Sequence, residues 1–239
     1  MAAMTAVDVL IRAKRFPGPA GGERVLYRDF ALAVAPFSFV VLLAPSGLGK
    51  TTLLNMIAGL DRDYDGRIGF GTAGPPRIAY AFQSPRLLPW RTVEENVALP
   101  LGEDAAARAA ARAMLEEVGL ADQAQAYPER LSLGQQRRVA LARAFALAPD
   151  LLLMDEPFVS LDEAGAARLR DLLRRLLARR PATVLFVTHD TREAVELGSR
   201  IVRLDGPPAR IRRDLAVDLD LAARRGAAGE ALRGDLLAP

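Results

Sequence analysis

The chain contains no cysteine, which excludes disulfides and every metal site built on thiolate, and suits a reducing compartment. It has two lysines, Lys14 and Lys50, so its pI of 9.7 reflects arginine usage. The 32 basic and 29 acidic residues leave a net charge of only +3, and no nucleic-acid partner is inferred from that balance. No apolar run approaches the ~20 residues of a membrane span, so the chain alone is not expected to cross a bilayer, though it can sit on a membrane protein. The start, Met1 to Asp8, lacks a basic region followed by an apolar one, and no signal peptide is expected. What is plentiful is apolar residue: 51% of 239 positions, enough for one large α/β domain or a domain with a sub-domain.

One stretch organises the rest. An apolar run, Val40 to Leu43, leads into Ala44-Pro45-Ser46-Gly47-Leu48-Gly49-Lys50-Thr51-Thr52 and then an apolar helical pattern, Leu53 to Ala58. Strand, glycine-punctuated loop and helix start make a phosphate-binding loop. Uncapped N–H groups and the helix dipole favour an anion, and glycines let the backbone wrap around phosphate oxygens. Lys50 is expected to reach the β- and γ-phosphates and the Thr51 hydroxyl to take a magnesium site. A simple turn needs no lysine and two threonines in that order. Ala44 stands where the strict pattern has glycine, so that position is either ordinary β or slightly strained.

Alternation predicts strands over 6–16 and 24–34, separated by a loop, Phe16 to Gly22. A buried strand spans 37–43, and a helix spans 50–59. A turn-rich stretch follows from Asp61 to Gly74, then a strand over 77–82 that ends at Gln83. An apolar, proline-braked loop leads to Thr92 and Glu95, which make a capping box for a helix from Val93 to Ala98. Further helices are expected over 103–118, stopped by Gly119, and over about 135–147 and 163–179. Strands are expected at Leu151–Met154 and Thr183–Thr188, forming a βαβ unit, with another strand or two between Ala209 and Val217. The end of the chain is a low-information Ala/Arg/Gly segment.

Ligands of open α/β sheets bind outside the carboxyl edge. Strands deliver the phosphate loop, Asp155-Glu156-Pro157 and His189-Asp190 there. Asp155 supplies the hard oxygen that a nucleotide-bound Mg²⁺ needs, and Glu156 can polarise a water for in-line attack on the γ-phosphate. His189, the single histidine, is a candidate contact for that phosphate or water. Gln83 ends a strand and offers an amide to Mg²⁺ or to the attacking water. Far along the chain, Leu131-Ser132-Leu133-Gly134-Gln135-Gln136 opens a helix and makes a second candidate anion site.

This succession resembles the ATP-binding subunit of an ABC transporter, over about residues 7 to 205. The resemblance implies a phosphate loop at 44–52, a Q-loop at Gln83, a signature at 131–135 and a catalytic Glu156. It also implies a D-loop at Ser160-Leu161-Asp162 and a switch at His189. The implied fold is α/β: a P-loop (RecA-like) ATPase core with a parallel sheet flanked by helices, an antiparallel β subdomain and a helical insert. The expected division is 1–90 with 131–205 as core, 91–130 as helical subdomain and 206–239 as tail. The implied cofactors are ATP and Mg²⁺. The implied partners are a second copy, whose nucleotide meets Ser132, Gly134, Gln135 and Asp162, transmembrane permease subunits, and indirectly a periplasmic or extracellular solute-binding protein. The implied location is peripheral, on the cytoplasmic face of the inner membrane. An aromatic on the adenine is matched by Phe16, with Tyr27 as the alternative. The wording from Phe82 to Val97 is most similar to importer subunits for nitrate, aliphatic sulfonates or taurine, with export, lipid-handling and soluble ABC ATPases as the alternatives. Leu133 departs from the glycine usual in the signature, where it restricts the backbone and adds bulk.

Overall fold

The computed structural model describes residues 7–18, 22–72 and 74–238. The first six residues, read above for a leader, and the middle of the Phe16–Gly22 loop lie outside them. In chain order come β1 (Val7–Pro17), β2 (Glu23–Val34), β3 (Phe39–Leu43), α1 (Lys50–Ile57), β4 (Asp65–Phe70) and β5 (Ile78–Ala81). Next are α2 (Val93–Ala98), α3 (Ala105–Glu117), α4 (Leu133–Ala146), β6 (Leu151–Asp155), α5 (Glu163–Arg179), β7 (Thr183–Thr188) and α6 (Thr191–Leu197). Last are β8 (Arg200–Asp205), β9 (Arg210–Ala216), α7 (Leu221–Arg225) and α8 (Ala227–Leu237). The described residues fall into two compact units, one within Pro76–Ala182 and the other within Ala3–Pro75 and Thr183–Pro239.

The second of these units holds two layers of strand. β2-β1-β4 is an antiparallel sheet in which Val7, Val9 and Ile11 bury one face while Asp8 and Arg12 stay outside. The other layer runs β7-β3-β8-β9, with β3 parallel to both neighbours and β9 antiparallel at the end. Val40 to Leu43 are all buried, as an unbroken apolar strand in a parallel sheet requires. Leu43 stands opposite Thr188, so the phosphate loop and His189 leave the sheet at the same edge.

In the other unit β5 and β6 pair in parallel, Ala81 opposite Met154. Helices α2, α3 and α4 pack on one another, and α5 buries Leu169, Leu172, Leu173 and Leu176. The capping box forms as read: Thr92 Oγ1 accepts from Glu95 N at 3.2 Å, and Glu95 Oε2 accepts from Thr92 N at 2.7 Å. Hydrogen bonding to the Thr92 amide holds the Glu95 carboxyl below the ordinary glutamate range.

The sequence reading differs from the fold at five elements. β4 occupies part of the stretch read as turns; Gly66 and Gly69 weaken its strand signal, and pairing with β1 supplies what propensity does not. β8 and α6 were not anticipated. Nor were α7 and α8, whose only buried residues are Gly229 and Leu236, too few for an apolar stripe.

Candidate functional site

The loop between β3 and α1 turns on two glycines, Gly47 at φ 82° and Gly49 at φ 84°. Gly49 is doubly constrained, because a Cβ there would lie 2.6 Å from Leu26 Cδ2. It is the N-cap of α1 and brings no side-chain cap to that helix start, the end of a helix that favours an anion. Lys50 is buried, and its Nζ donates to the carbonyls of Ala44 at 2.7 Å and Pro45 at 3.0 Å, lying back across the loop. Leu48 is buried beneath the turn, while Pro45, Ser46, Gly47 and Thr51 are exposed and Thr52 is half-buried. Ala44 is resolved as ordinary backbone: positive φ falls on the glycines, and the Ala44 N–H donates to the Thr188 carbonyl at 3.3 Å.

β2 supports this loop in a way the sequence did not reveal. Tyr27 Oη donates to the Gly49 carbonyl at 3.0 Å and Arg24 Nη2 to the Gly47 carbonyl at 3.0 Å. Tyr27 is fully buried, edge-on to Phe30, and burial pushes its phenol up. A ring so enclosed has no face for a ligand, which leaves Phe16 of the two aromatics. Phe16 is 39% exposed and borders a shallow cavity of about 840 Å³ with Arg15, Pro17, Glu23 and Tyr64. Beneath it Lys14 is buried, its ammonium 4.7 Å from the ring centroid and bound to Asp61 at 3.0 Å and the Asp63 carbonyl at 2.6 Å. His189 is exposed, one residue past β7. The buried Thr188 before it pairs with Glu193 Oε2 at 2.6 Å and accepts from Asp190 N at 3.0 Å.

In the other unit, Gln83 is exposed two residues after β5, and Asp155 is the buried last residue of β6. The Tyr80 phenol is pushed up first by burial and then by the negative charge of Asp155. Glu156 follows at φ 44°, a left-handed conformation that costs a non-glycine residue about 1–3 kcal/mol and is typical of constrained sites. The turn is held by Val159 N donating to the Glu156 carbonyl at 3.2 Å, and by Arg137 Nη2 donating to the Val159 carbonyl at 2.7 Å. Buried Arg137 thus ties α4 to the loop that carries Glu156, a contact no motif announces. Asp162 caps α5, accepting from Gly165 N at 3.0 Å.

Ser132 and Gln135 form a second capping box at the start of α4, with Ser132 Oγ accepting from Gln135 N at 3.3 Å and Gln135 Oε1 from Ser132 N at 2.8 Å. Leu133 takes the first helical position and is exposed, so the expected backbone restriction does not arise; what remains is its bulk. A Cβ on Gly134 would meet nothing nearer than Leu161 Cδ2 at 4.0 Å. Ser132, Gly134, Gln135 and Leu161 border one cavity of about 350 Å³ with Arg138 and Arg168. The loop after Gln83 is organised by Asn96, which is fully buried: its Oδ1 accepts from Leu88 N at 2.7 Å and its Nδ2 donates to the Leu88, Arg91 and Thr92 carbonyls. Trp90 projects from that loop, 71% exposed.

Among the described residues no three His, Cys, Asp or Glu side chains form a metal cage. Thr51 in one unit, and Gln83 and Asp155 in the other, each carry a hard oxygen donor of the kind magnesium takes.

The profile of the ABC transporter family matches residues 27–159. The chain is 44% identical to the aliphatic sulfonates import ATP-binding protein SsuB 1 of Xanthomonas axonopodis pv. citri, covering 95% of this chain and 93% of that protein. It is 45% identical to the aliphatic sulfonates import ATP-binding protein SsuB of Mycobacterium sp. strain MCS, covering 98% and 94%. Among solved structures it is similar to the ATP-binding cassette MJ0796 in a dimeric post-hydrolysis state bound to ADP and phosphate. The TM-score is 0.77 and the identity 29%, over 90% of this chain and all of that one.

Proposed function

The chain belongs to the ABC transporter family, and from that premise we propose that it is the ATP-hydrolysing subunit of a membrane importer for small sulfonate anions. One observation carries the ATP reading: an uncapped helix start behind two left-handed glycines, with Lys50 folded over the loop and His189 leaving the same sheet edge. The cargo reading is supported by relatives named for sulfonate import at 44–45% identity.

In this reading Pro45 to Thr52 cradle the ATP phosphates, Lys50 moves from its own carbonyls to the β- and γ-oxygens, and Phe16 stacks on the adenine. Thr51, Asp155 and Gln83 would hold Mg²⁺, which would neutralise phosphate charge there. Glu156 takes a proton from the attacking water as its oxygen bonds to the γ-phosphorus in line, the bond from that phosphorus to the β–γ bridging oxygen breaks and ADP leaves, and His189 donates a hydrogen bond to the transferring group. Ser132, Gly134, Gln135 and Asp162 serve the nucleotide of a second copy. Residues 91–130 act as a helical subdomain and 206–239 as a tail outside the core of 1–90 and 131–205. The exposed Trp90 loop, braced by Asn96, faces the permease subunits. The subunit then lies peripherally on the cytoplasmic face of the inner membrane, and the solute-binding protein acts on the permease from the other side.

Glu156→Gln tests the chemistry. Turnover is expected to fall at least about a hundredfold while ATP binding persists and an ATP-stabilised dimer accumulates on size-exclusion chromatography. Undiminished phosphate release would sink the assignment of Glu156. Uptake of a labelled alkanesulfonate tests the cargo: it is lost without the chain, restored by it and not restored by Lys50→Ala. Uptake that is indifferent to the chain removes the sulfonate reading.

A further inference from the structure

The Ala/Arg/Gly run after β9 folds as α7 and α8 against the helix that follows His189. Arg224 of α7 commits its guanidinium to four backbone carbonyls. Nη1 donates to Val195 at 3.0 Å and Gly198 at 2.6 Å, Nε to Leu219 at 2.7 Å and Nη2 to Val217 at 3.2 Å. Val195 and Gly198 lie at the end of α6, where carbonyls lack helical partners and the helix dipole is negative. Its neighbour Arg225 pairs with Glu196 of α6, Nε to Oε1 at 2.9 Å. Gly229, in the first turn of α8, abuts α7 so closely that a Cβ would lie 1.9 Å from the Arg224 carbonyl oxygen. Arg203 of β8 closes the far end of α8 by donating to the Leu236 and Ala238 carbonyls, and Leu236 is fully buried.

α6 spans seven residues, too short to hold its own shape. Its first turn carries the Asp190 cap, accepting from Arg192 N at 2.6 Å, and Glu193, which is bound to Thr188 at 2.6 Å. Both bonds sit on the turn that presents His189. The Thr188 carbonyl in turn accepts from Ala44 of the phosphate loop. The loop itself is braced from β2, by Tyr27 and Arg24.

We propose that Arg224 and Arg225, seated by Gly229, are positioning residues for ATP hydrolysis: the α7–α8 bracket holds α6, and α6 sets His189 at the reacting phosphate. The proposal rests on the role given to His189 above. It separates two quantities, because nucleotide affinity comes from the loop and its β2 braces, whereas the bracket acts on His189. Loosening the bracket therefore lowers kcat and leaves the KM for ATP in place.

ATP hydrolysis by the full-length chain is the measurement, with Lys50→Ala and His189→Ala as references. If His189→Ala turns over at the wild-type rate, the reading of His189 fails and the positioning role falls with it. If His189→Ala is impaired, Arg224→Ala and Gly229→Ala are each expected to lower kcat roughly three- to thirtyfold, with the KM within about twofold. In the His189→Ala background neither is expected to cause a further loss, since residues acting through one group are not additive. Arg225→Glu is expected to lower kcat, and Glu196→Arg with Arg225→Glu to restore it. Wild-type kcat in Arg224→Ala, or losses that multiply in the His189→Ala background, would overturn the proposal. Should Arg224→Ala not fold, the charge reversal at the partly exposed Arg225 decides: absence of either the loss or the rescue overturns it equally.

Discussion

α1 and α4 both begin where the sequence points to phosphate, yet their first turns are built differently. At α1 the chain itself demands glycine: Gly49 has φ 84°, and Leu26 fills the space a Cβ would need. That helix start carries no side-chain cap. At α4 the start is closed by Ser132 and Gln135 on each other, and Gly134 has open room around it. The first site is therefore fixed by the fold that surrounds it. A Cβ on the glycine of the second would meet nothing nearer than 4.0 Å, so its own fold does not demand it, and the role proposed for it toward a second copy's nucleotide can be tested without loss of the fold. The same contrast changes the meaning of the two departures from the family pattern. Ala44 and Leu133 both hold ordinary backbone conformations, so neither stores strain that a glycine would release.

Substitutions at the two helix starts break or sharpen this contrast. Gly49→Ala should have the largest effect, lowering stability by about 1–3 kcal/mol and abolishing nucleotide binding. Thermal melting and fluorescent-nucleotide titration read both, and an unchanged Tm would mean the glycine is not demanded by the chain. Gly134→Ala should leave the Tm unchanged or slightly raised, since alanine favours a helix by up to about 1 kcal/mol. Its turnover should nevertheless fall at least about tenfold, and normal turnover would remove the second copy from this surface. Ser132→Ala should cost about 1 kcal/mol in chemical denaturation through loss of the cap. The smallest effect separates two capping boxes. Glu95 has a depressed pKa, so its contribution is full above the unfolded glutamate pKa and is lost as pH falls through the folded one. Gln135 does not titrate. The Thr92 amide resonance should shift over that acid range while the Ser132 amide stays still, and the stability change should be slight because Glu95 is exposed.

The sequence made the order of the motifs legible, because each combines residue types that carry chemistry with a strand or helix boundary. The Thr92–Glu95 box was readable for the same reason, since both partners are side chains at a fixed spacing. The contacts that went unread share a different character. Arg137 on Val159, Asn96 on Leu88, Tyr27 on Gly49 and Arg224 on α6 all end on backbone atoms, which every residue possesses. Such partners leave no trace in composition or spacing. The burial of Tyr27 and the exposure of Phe16 were likewise unread, since two alternating strands do not say which aromatic faces inward.

The scarcity of amines has a practical meaning in this fold. Lys14 is buried on Asp61 and Asp63, and Lys50 is buried on the carbonyls of its own loop. Every exposed cationic side chain among the described residues is therefore arginine, and an amine-selective reagent finds the ammonium of Lys50 only as the loop lets it go. The rate at which that one side chain is acylated becomes a clock for the opening of the phosphate loop. In a chain without cysteine, a thiol installed at any position gives a second, independent reporter against no background.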